Sequence, residues 1–250
     1  MINIILSGCN GYMGRVVTAL VNSDQSVKIT AGIDIDTAKL SDYPVYADPA
    51  DIIEHADVII DFSKPAALAG LLEFCKKNKT PVILCATGYT QEQLSEIENT
   101  SKHIPIFRSS NMSIGINLLI DLIKRSCAVL GEDFDVEIVE KHHRRKVDAP
   151  SGTALMLADA AAEAMSQKPE YVYERESKRK PRDKNEIGIS AVRGGTIVGV
   201  HDVILAGQDE IIELRHTATS REVFAVGSLK AARFMKGKSP GMYCMKDLLI

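Results

Sequence analysis

Gly8-Cys9-Asn10-Gly11-Tyr12-Met13-Gly14 stands between a short β-branched run and a helix-forming stretch. Glycines at such a junction permit a tight turn and let backbone N–H groups approach a pyrophosphate at the positive end of a helix. The spacing is G-x-x-G-x-x-G rather than the commoner G-x-G-x-x-G, so the loop alone also fits an ordinary strand-to-helix turn. Its position adds weight. Asp34 closes the next β-branched run, twenty residues beyond Gly14, where a carboxylate meets the ribose hydroxyls of a dinucleotide. Two more strand ends, Asp61-Phe62-Ser63 and Cys85-Ala86-Thr87-Gly88, face the same crevice in an open α/β sheet. Small residues there suit backbone contact with a cofactor ring, and equally suit a plain βα loop.

The second segment with chemical content runs from Glu140 through Lys141, His142, His143, Arg144, Arg145, Lys146, Val147, Asp148, Ala149 and Pro150 to Ser151, Gly152 and Thr153. Adjacent histidines beside an Arg-Arg-Lys run can hold an imidazolium and an ammonium near an anionic substrate, each able to donate a proton. Ser-Gly-Thr opens a helix, and N–H groups at a helix start bind a carboxylate. The segment therefore reads as an anion pocket with an acid in it. The plainer alternative is a structural His pair on a solvated basic face. No metal is expected, because consecutive strand side chains point to opposite faces and the neighbouring cations repel another.

These residues need elements to position them. Candidate strands at Ile2 to Leu6, Val27 to Ile33, Val58 to Phe62, Val82 to Cys85 and Ile104 to Phe107 alternate with helical stretches at Met13 to Asn22, Ala66 to Asn78 and Gln91 to His103. That order predicts a doubly wound parallel sheet covered on both faces. After Asn111 a helix is expected from Ile114 to Leu130, then a strand in FDVEIVEKH and a second helix from Ser151 through Ala164. From Ile187 to His216 the runs ISAV, TIVGV, DVILA and IIELRH, separated by Gly-Gly, His-Asp and Gly-Gln-Asp, read as a mostly antiparallel sheet. A last helix near Ser220 to Met235 is expected to return to the first domain. The fold class is thus α/β: an N-terminal Rossmann-type doubly wound parallel sheet and a second α+β domain on an open mixed sheet. We place a dinucleotide-binding domain at 1–111, completed by the segment from about 220 to 250, and a substrate-binding and oligomerisation domain at 112–219.

A length of 250 residues, 45% of them hydrophobic, is ample for a buried core. A net charge of −3 gives no global attraction for nucleic acid or an anionic membrane, so a small ligand is the expected partner. The loop ERESKRKPRDKNE from Glu174 carries six basic and four acidic residues and is read as a solvated, mobile connection. Cys9, Cys75, Cys85, Cys127 and Cys244 are scattered without a C-x-x-C pair, which points to neither a disulfide framework nor structural zinc. The chain enters its first strand without a leader, and no apolar stretch approaches a membrane span. A cytoplasmic location is expected.

The segment EKHHRRKVDAPSGTA resembles the signature of the dihydrodipicolinate reductases, the 4-hydroxy-tetrahydrodipicolinate reductases of bacterial and plant lysine biosynthesis. The likeness extends through GCNGYMGR, IDFSKP, SSNMSIGIN and RGGTIVGVHDVILAG, and so covers nearly the whole chain. It implies a homotetramer built through the central sheet. By the same resemblance His142 is the proton donor and Lys146 a second acid that helps bind substrate. His143, Gly152 and Thr153 hold the substrate carboxylates. The cofactor contacts fall on Gly8, Cys9, Asn10, Gly11, Tyr12 and Met13, on Asp34, on Cys85, Ala86 and Thr87, and on Ser109, Ser110, Asn111 and Met112.

Two departures are visible. The family's Gly-Thr-Thr-Gly loop reads Cys85-Ala86-Thr87-Gly88, and the Arg that often follows the acidic residue and binds the NADPH phosphate is replaced by Ile35. With Asp34 and Asp36 both negative and Arg15 the main counterweight, NADH and NADPH are both expected to serve, with NADH preferred. Two other functions share parts of this pattern. Another Rossmann-type reductase of a small dicarboxylate would keep the glycine loop and Asp34 but has no reason to carry His-His-x-x-Lys before Ser-Gly-Thr. A non-enzymatic dinucleotide-binding redox sensor would need a recognition helix and a basic domain, and neither is evident.

Overall fold

Ile4, Ile5 and Leu6 of the first strand, β1 (Ile2–Ser7), are each no more than 1% exposed, the mark of a parallel strand covered on both faces. The chain continues through α1 (Tyr12–Asn22), β2 (Val27–Ile33), β3 (Val45–Tyr46), β4 (Val58–Asp61), α2 (Leu68–Asn78), β5 (Val82–Leu84), α3 (Gln91–Ser101) and β6 (Pro105–Arg108). It then forms α4 (Ile114–Leu130), β7 (Asp135–His142), α5 (Gly152–Ala162), β8 (Glu170–Val172), β9 (Glu186–Arg193), β10 (Gly199–Ala206) and β11 (Ile211–Ala218). It ends in α6 (Glu222–Met235), β12 (Gly241–Tyr243) and α7 (Met245–Leu249). The computed structural model describes residues 1–249; Ile250, the last position of the expected C-terminal segment, lies outside the described residues. Two compact units result, Met1–Ile114 with the segment from Glu222 onward, and Gly115–Arg221.

The first unit is a seven-stranded sheet in the order β12-β6-β5-β4-β1-β2-β3, with every pair parallel. This is the doubly wound fold that the alternation of runs predicts. The two-residue period of β1 sends Ile4 and Leu6 into one core with Val17 and Val21 of α1 and Leu229 and Met235 of α6. Ile5 points the other way, onto Leu68, Leu71 and Leu72 of α2 and Ile97 of α3. Strand order reverses between β1 and β4, so the loops after these strands open the crevice where such sheets bind ligands. The short strands β3 and β12 carry too little pattern to be read from sequence. β12 adds itself beside β6, with Tyr243 opposite Phe107.

The second unit is a five-stranded sheet ordered β11-β10-β7-β9-β8. On β7 the residues Val136, Ile138, Glu140 and His142 are buried while their neighbours are half-buried. Val136 and Ile138 join Ile123 of α4, Leu157 and Ala158 of α5, and Val203 and Leu205 of β10 in one core. The same face therefore begins apolar and ends in a carboxylate and an imidazole.

The fold departs from the sequence expectation at three places. His201-Asp202 is no turn: Gly199 and Val200, the end of TIVGV, continue through His201 into DVILA as the single strand β10, while Thr196 to Val198 lie outside any strand, and His201 pairs with Glu140 of β7 on one side and His216 of β11 on the other. Two consecutive polar residues break the apolar pattern, but each has a partner, His201 lying 3.1 Å from Ser151 Oγ and Asp202 taking Lys141 at 2.8 Å. The sheet is not mostly antiparallel, since β7 and β8 both pair parallel to β9. The charged loop is no free connection. Arg175 bonds Glu186 and Glu137, and Arg182 bonds Asp135 and Glu137, all within 2.9 Å, pinning it to the first residues of β7 and β9. Among the described residues no helix is long and apolar enough to cross a membrane.

Candidate active site

The glycine loop leaves β1 and enters α1 through Gly11, whose extended backbone caps the helix without a side-chain bond. Gly8 has φ of +74°, and a Cβ there would lie 2.8 Å from the Phe62 carbonyl. At Gly14 a Cβ would lie 2.2 Å from the Gly8 oxygen, so both positions require glycine for the turn to close. Gly11 and Tyr12, by contrast, are exposed at the helix start. The result is a bare backbone shelf at the positive end of a helix, and it fits the pyrophosphate of a dinucleotide.

Asp34 directly follows β2. Its Oδ2 accepts the N–H of Asn10 at 2.9 Å and its Oδ1 that of Asp36 at 3.2 Å. The Asn10 amide clasps the same segment, donating to the carbonyls of Asp36 at 2.7 Å and Ala38 at 2.8 Å. The Cys9 thiol is turned inward against Gly32, and burial, with the Asp34 charge beside it, pushes its pKa up to about 11. Cys9 thus offers a ligand only its backbone.

Cys85, Ala86 and Thr87 follow β5, and Ser109, Ser110, Asn111 and Met112 follow β6. All sit past the carboxyl ends of parallel strands in the first unit, the edge that also carries the glycine loop and Asp34. The second of these turns is tied internally: Asn111 accepts the Ser113 N–H at 2.9 Å, and Ser109 Oγ donates to the Asn111 carbonyl at 2.7 Å. Met112 is buried in the core, its carbonyl packed where Gly227 of α6 leaves room.

In the second unit the buried end of β7 carries the other chemistry. His142 Nδ1 lies 2.6 Å from Glu140 Oε2; residues i and i+2 share a strand face. Glu140 is fully buried and accepts both Arg193 Nη atoms at 2.7 Å and the Ser151 N–H at 3.0 Å. Burial raises the Glu140 pKa, but the Arg193 and His142 donors more than offset it and hold the group below the usual carboxylate range. His201 packs edge-on to His142 with ring centres 5.2 Å apart. Burial, then the neighbouring His142 charge, lowers the His201 pKa to about 4.

Ser151 caps α5, its Oγ accepting the Ala154 N–H at 3.1 Å and lying 3.1 Å from His201 Nε2. Beyond it Gly152 is exposed, with open space where a Cβ would stand. Lys146 pairs with Asp148 at 2.8 Å. His143 is held below its ordinary pKa by burial and by the charges of Arg221, Arg145, His142 and Lys146. Among the described residues its Nδ1 is buried with no hydrogen-bond partner.

Sequence alone assigns no site role to Glu140, Arg193 or His201, and to Ser151 only that of opening a helix. Glu140 had a signal, a carboxylate two positions before a histidine on a strand. Arg193 and His201 had none, because their approach depends on sheet register.

The doubly wound parallel sheet with its glycine turn, joined to a separate mixed sheet that ends in a buried histidine–carboxylate pair, is the architecture of an oxidoreductase that uses a nicotinamide dinucleotide, as the family matches show. Family models for the N-terminus and C-terminus of dihydrodipicolinate reductase match residues 2–112 and 115–249, and the chain belongs to that family. A 4-hydroxy-tetrahydrodipicolinate reductase from Caldanaerobacter subterraneus subsp. tengcongensis is 54% identical over 249 residues, 100% of this chain and 98% of that one. One from Clostridium tetani is 52% identical, over 100% of this chain and 97% of that one. The solved structure of a dipicolinate-bound dihydrodipicolinate reductase from Paenisporosarcina sp. TG-14 shares the fold with a TM-score of 0.81 and 24% identity, over 98% of this chain and 97% of that one.

Proposed function

We propose that this chain reduces 4-hydroxy-tetrahydrodipicolinate to tetrahydrodipicolinate with loss of water, the step its relatives are named for in lysine and diaminopimelate biosynthesis. The observation that carries the residue assignment is His142 at the buried end of β7, its Nδ1 engaged by Glu140 beside a cluster of cations. The cyclic substrate loses water to leave a conjugated imine, and a proton must then reach the carbon next to the one reduced. The dinucleotide, when bound, supplies the hydride; the protein supplies position and field.

Gly8 to Met13 and Asp34 hold the dinucleotide's pyrophosphate and ribose, and the loops Cys85 to Thr87 and Ser109 to Met112 complete its contacts. His143, Gly152 and Thr153 hold the substrate carboxylates, as the basic cluster and exposed helix start favour. His142 delivers the proton. Lys146 helps orient the dianion and stabilises developing negative charge. Both NADH and NADPH serve, NADH better, because the carboxylates of Asp34 and Asp36 repel a 2′-phosphate and Ile35 offers it nothing. The enzyme works in the cytoplasm, where its five free thiols stay reduced, and as a homotetramer built through the second unit's sheet.

The test is a coupled assay with the product of dihydrodipicolinate synthase, following nicotinamide absorbance. Substrate-dependent oxidation of the dinucleotide is expected. Its absence with both NADH and NADPH overturns the proposal.

A further inference from the structure

Glu140 is the most enclosed charge in the second unit, at 0% exposure, and every acceptor position on it is used. Oε1 takes Arg193 Nη2 at 2.7 Å and the Ser151 N–H at 3.0 Å. Oε2 takes Arg193 Nη1 at 2.7 Å and His142 Nδ1 at 2.6 Å. A carboxylate has about four such positions, so Glu140 has none left for a substrate. It is therefore not a catalytic residue.

Its geometry determines which proton His142 can give. Arg193 and the Ser151 amide are obligatory donors, so both Glu140 oxygens act as acceptors and Nδ1 must carry hydrogen. The mobile proton is then confined to Nε2. That atom lies against Gly199, where a Cβ would stand 3.2 Å away. The other groups facing the ring keep the same order: His201 on β10 is edge-on at 5.2 Å, and its Nε2 is taken up with Ser151 Oγ.

We infer that Glu140, clamped by Arg193, is the positioning residue of this site: it fixes His142 as the Nδ1-protonated ring and, through the Ser151 amide, ties that ring to the start of α5. One carboxylate thereby sets the proton donor and the proposed anion-binding helix start in a common frame. The inference rests on the reading of His142 as proton donor, and its test separates the two.

Glu140→Gln keeps the shape but has one acceptor oxygen instead of two. Arg193 and Ser151 claim that oxygen, and the amide NH2 then faces His142, favouring the ring protonated at Nε2 and opposing its cation. Nitrogen-15 spectra of the full chain are expected to show His142 changing from the Nδ1-H to the Nε2-H tautomer. Turnover should fall at least about 100-fold, the range for loss of general acid catalysis, with KM changed no more than about threefold. An unchanged tautomer overturns the inference whatever happens to turnover, and so does unchanged turnover in Glu140→Gln where His142→Gln loses it. Should Glu140→Gln not fold, Glu140→Asp serves, since the shorter side chain cannot span Arg193 and His142 together. Its Nδ1 proton resonance is expected to move upfield, and an unmoved resonance overturns the inference. Full turnover in His142→Gln would instead remove the donor assignment while leaving the tautomer result intact.

Discussion

The N–H of Asn10 donates to Asp34 Oδ2 at 2.9 Å, so the acidic residue after β2 and the glycine loop after β1 form one hydrogen-bonded unit. The Asp36 N–H takes Oδ1 at 3.2 Å, and the carboxylate keeps acceptor capacity for ribose hydroxyls. Higher kcat/KM is expected with NADH than with NADPH. Ile35 is 93% exposed, so Ile35→Arg adds a cation without touching the core. It should shift the NADPH/NADH ratio of kcat/KM upward about tenfold, or ~1.4 kcal/mol. A wild-type enzyme that strongly prefers NADPH would show that Arg15 outweighs the carboxylates.

His142→Gln is expected to cut kcat by about 100-fold to 10,000-fold while KM moves little, because a proton donor acts in the transition state. Steady-state kinetics at saturating dinucleotide measure this. Unchanged turnover removes His142 from the mechanism.

Lys146 already has an anionic partner in Asp148, so its ammonium is held near the pocket rather than free to sweep. Lys146→Ala should raise KM and lower kcat together. Lys146→Arg should recover only part of the loss, since a guanidinium is wider and does not give up its proton. Wild-type kinetics in both variants would reduce Lys146 to a surface charge.

Acid should weaken the fold through His201. Its pKa falls from an ordinary value near 6.5 to about 4 in the folded chain, so between those values the unfolded chain binds more protons. Stability is therefore lost as pH drops from about 6.5 to about 4, by on the order of 3 kcal/mol from this group. Glu140, held low, acts in the same direction as pH falls. Urea unfolding at pH 7 and pH 4 reads the change, and His201→Gln should show a smaller drop. An equal drop in that variant would assign the effect elsewhere.

Light scattering at micromolar concentration should give the mass of four chains. Burial along β11 alternates between exposed and half-buried, with no fully buried residue, which leaves sheet surface for pairing with further copies. A monomer mass would reject the tetramer.

What the sequence determined by itself was local. The alternation of β-branched runs with helical stretches specified the parallel sheet, and β2 and α4 fall at the residues that patterning marks. The glycine turn was legible because Gly8 and Gly14 stand where a Cβ would strike backbone, a constraint written into residue type. The Ser151 cap was legible for the same reason. Only the tertiary structure brought Arg193 and His201 to the His142–Glu140 pair. Arg193 of β9 reaches Glu140 and His201 of β10 packs on His142, and their meeting depends on β9 running parallel and β10 antiparallel to β7 in one register. A register slip of one residue would turn each side chain to the opposite face. His-Asp read as a turn because polar pairs usually end a strand. In the fold the two side chains point to opposite faces, His201 to Ser151 and Asp202 to Lys141, and partners distant in sequence make the burial possible.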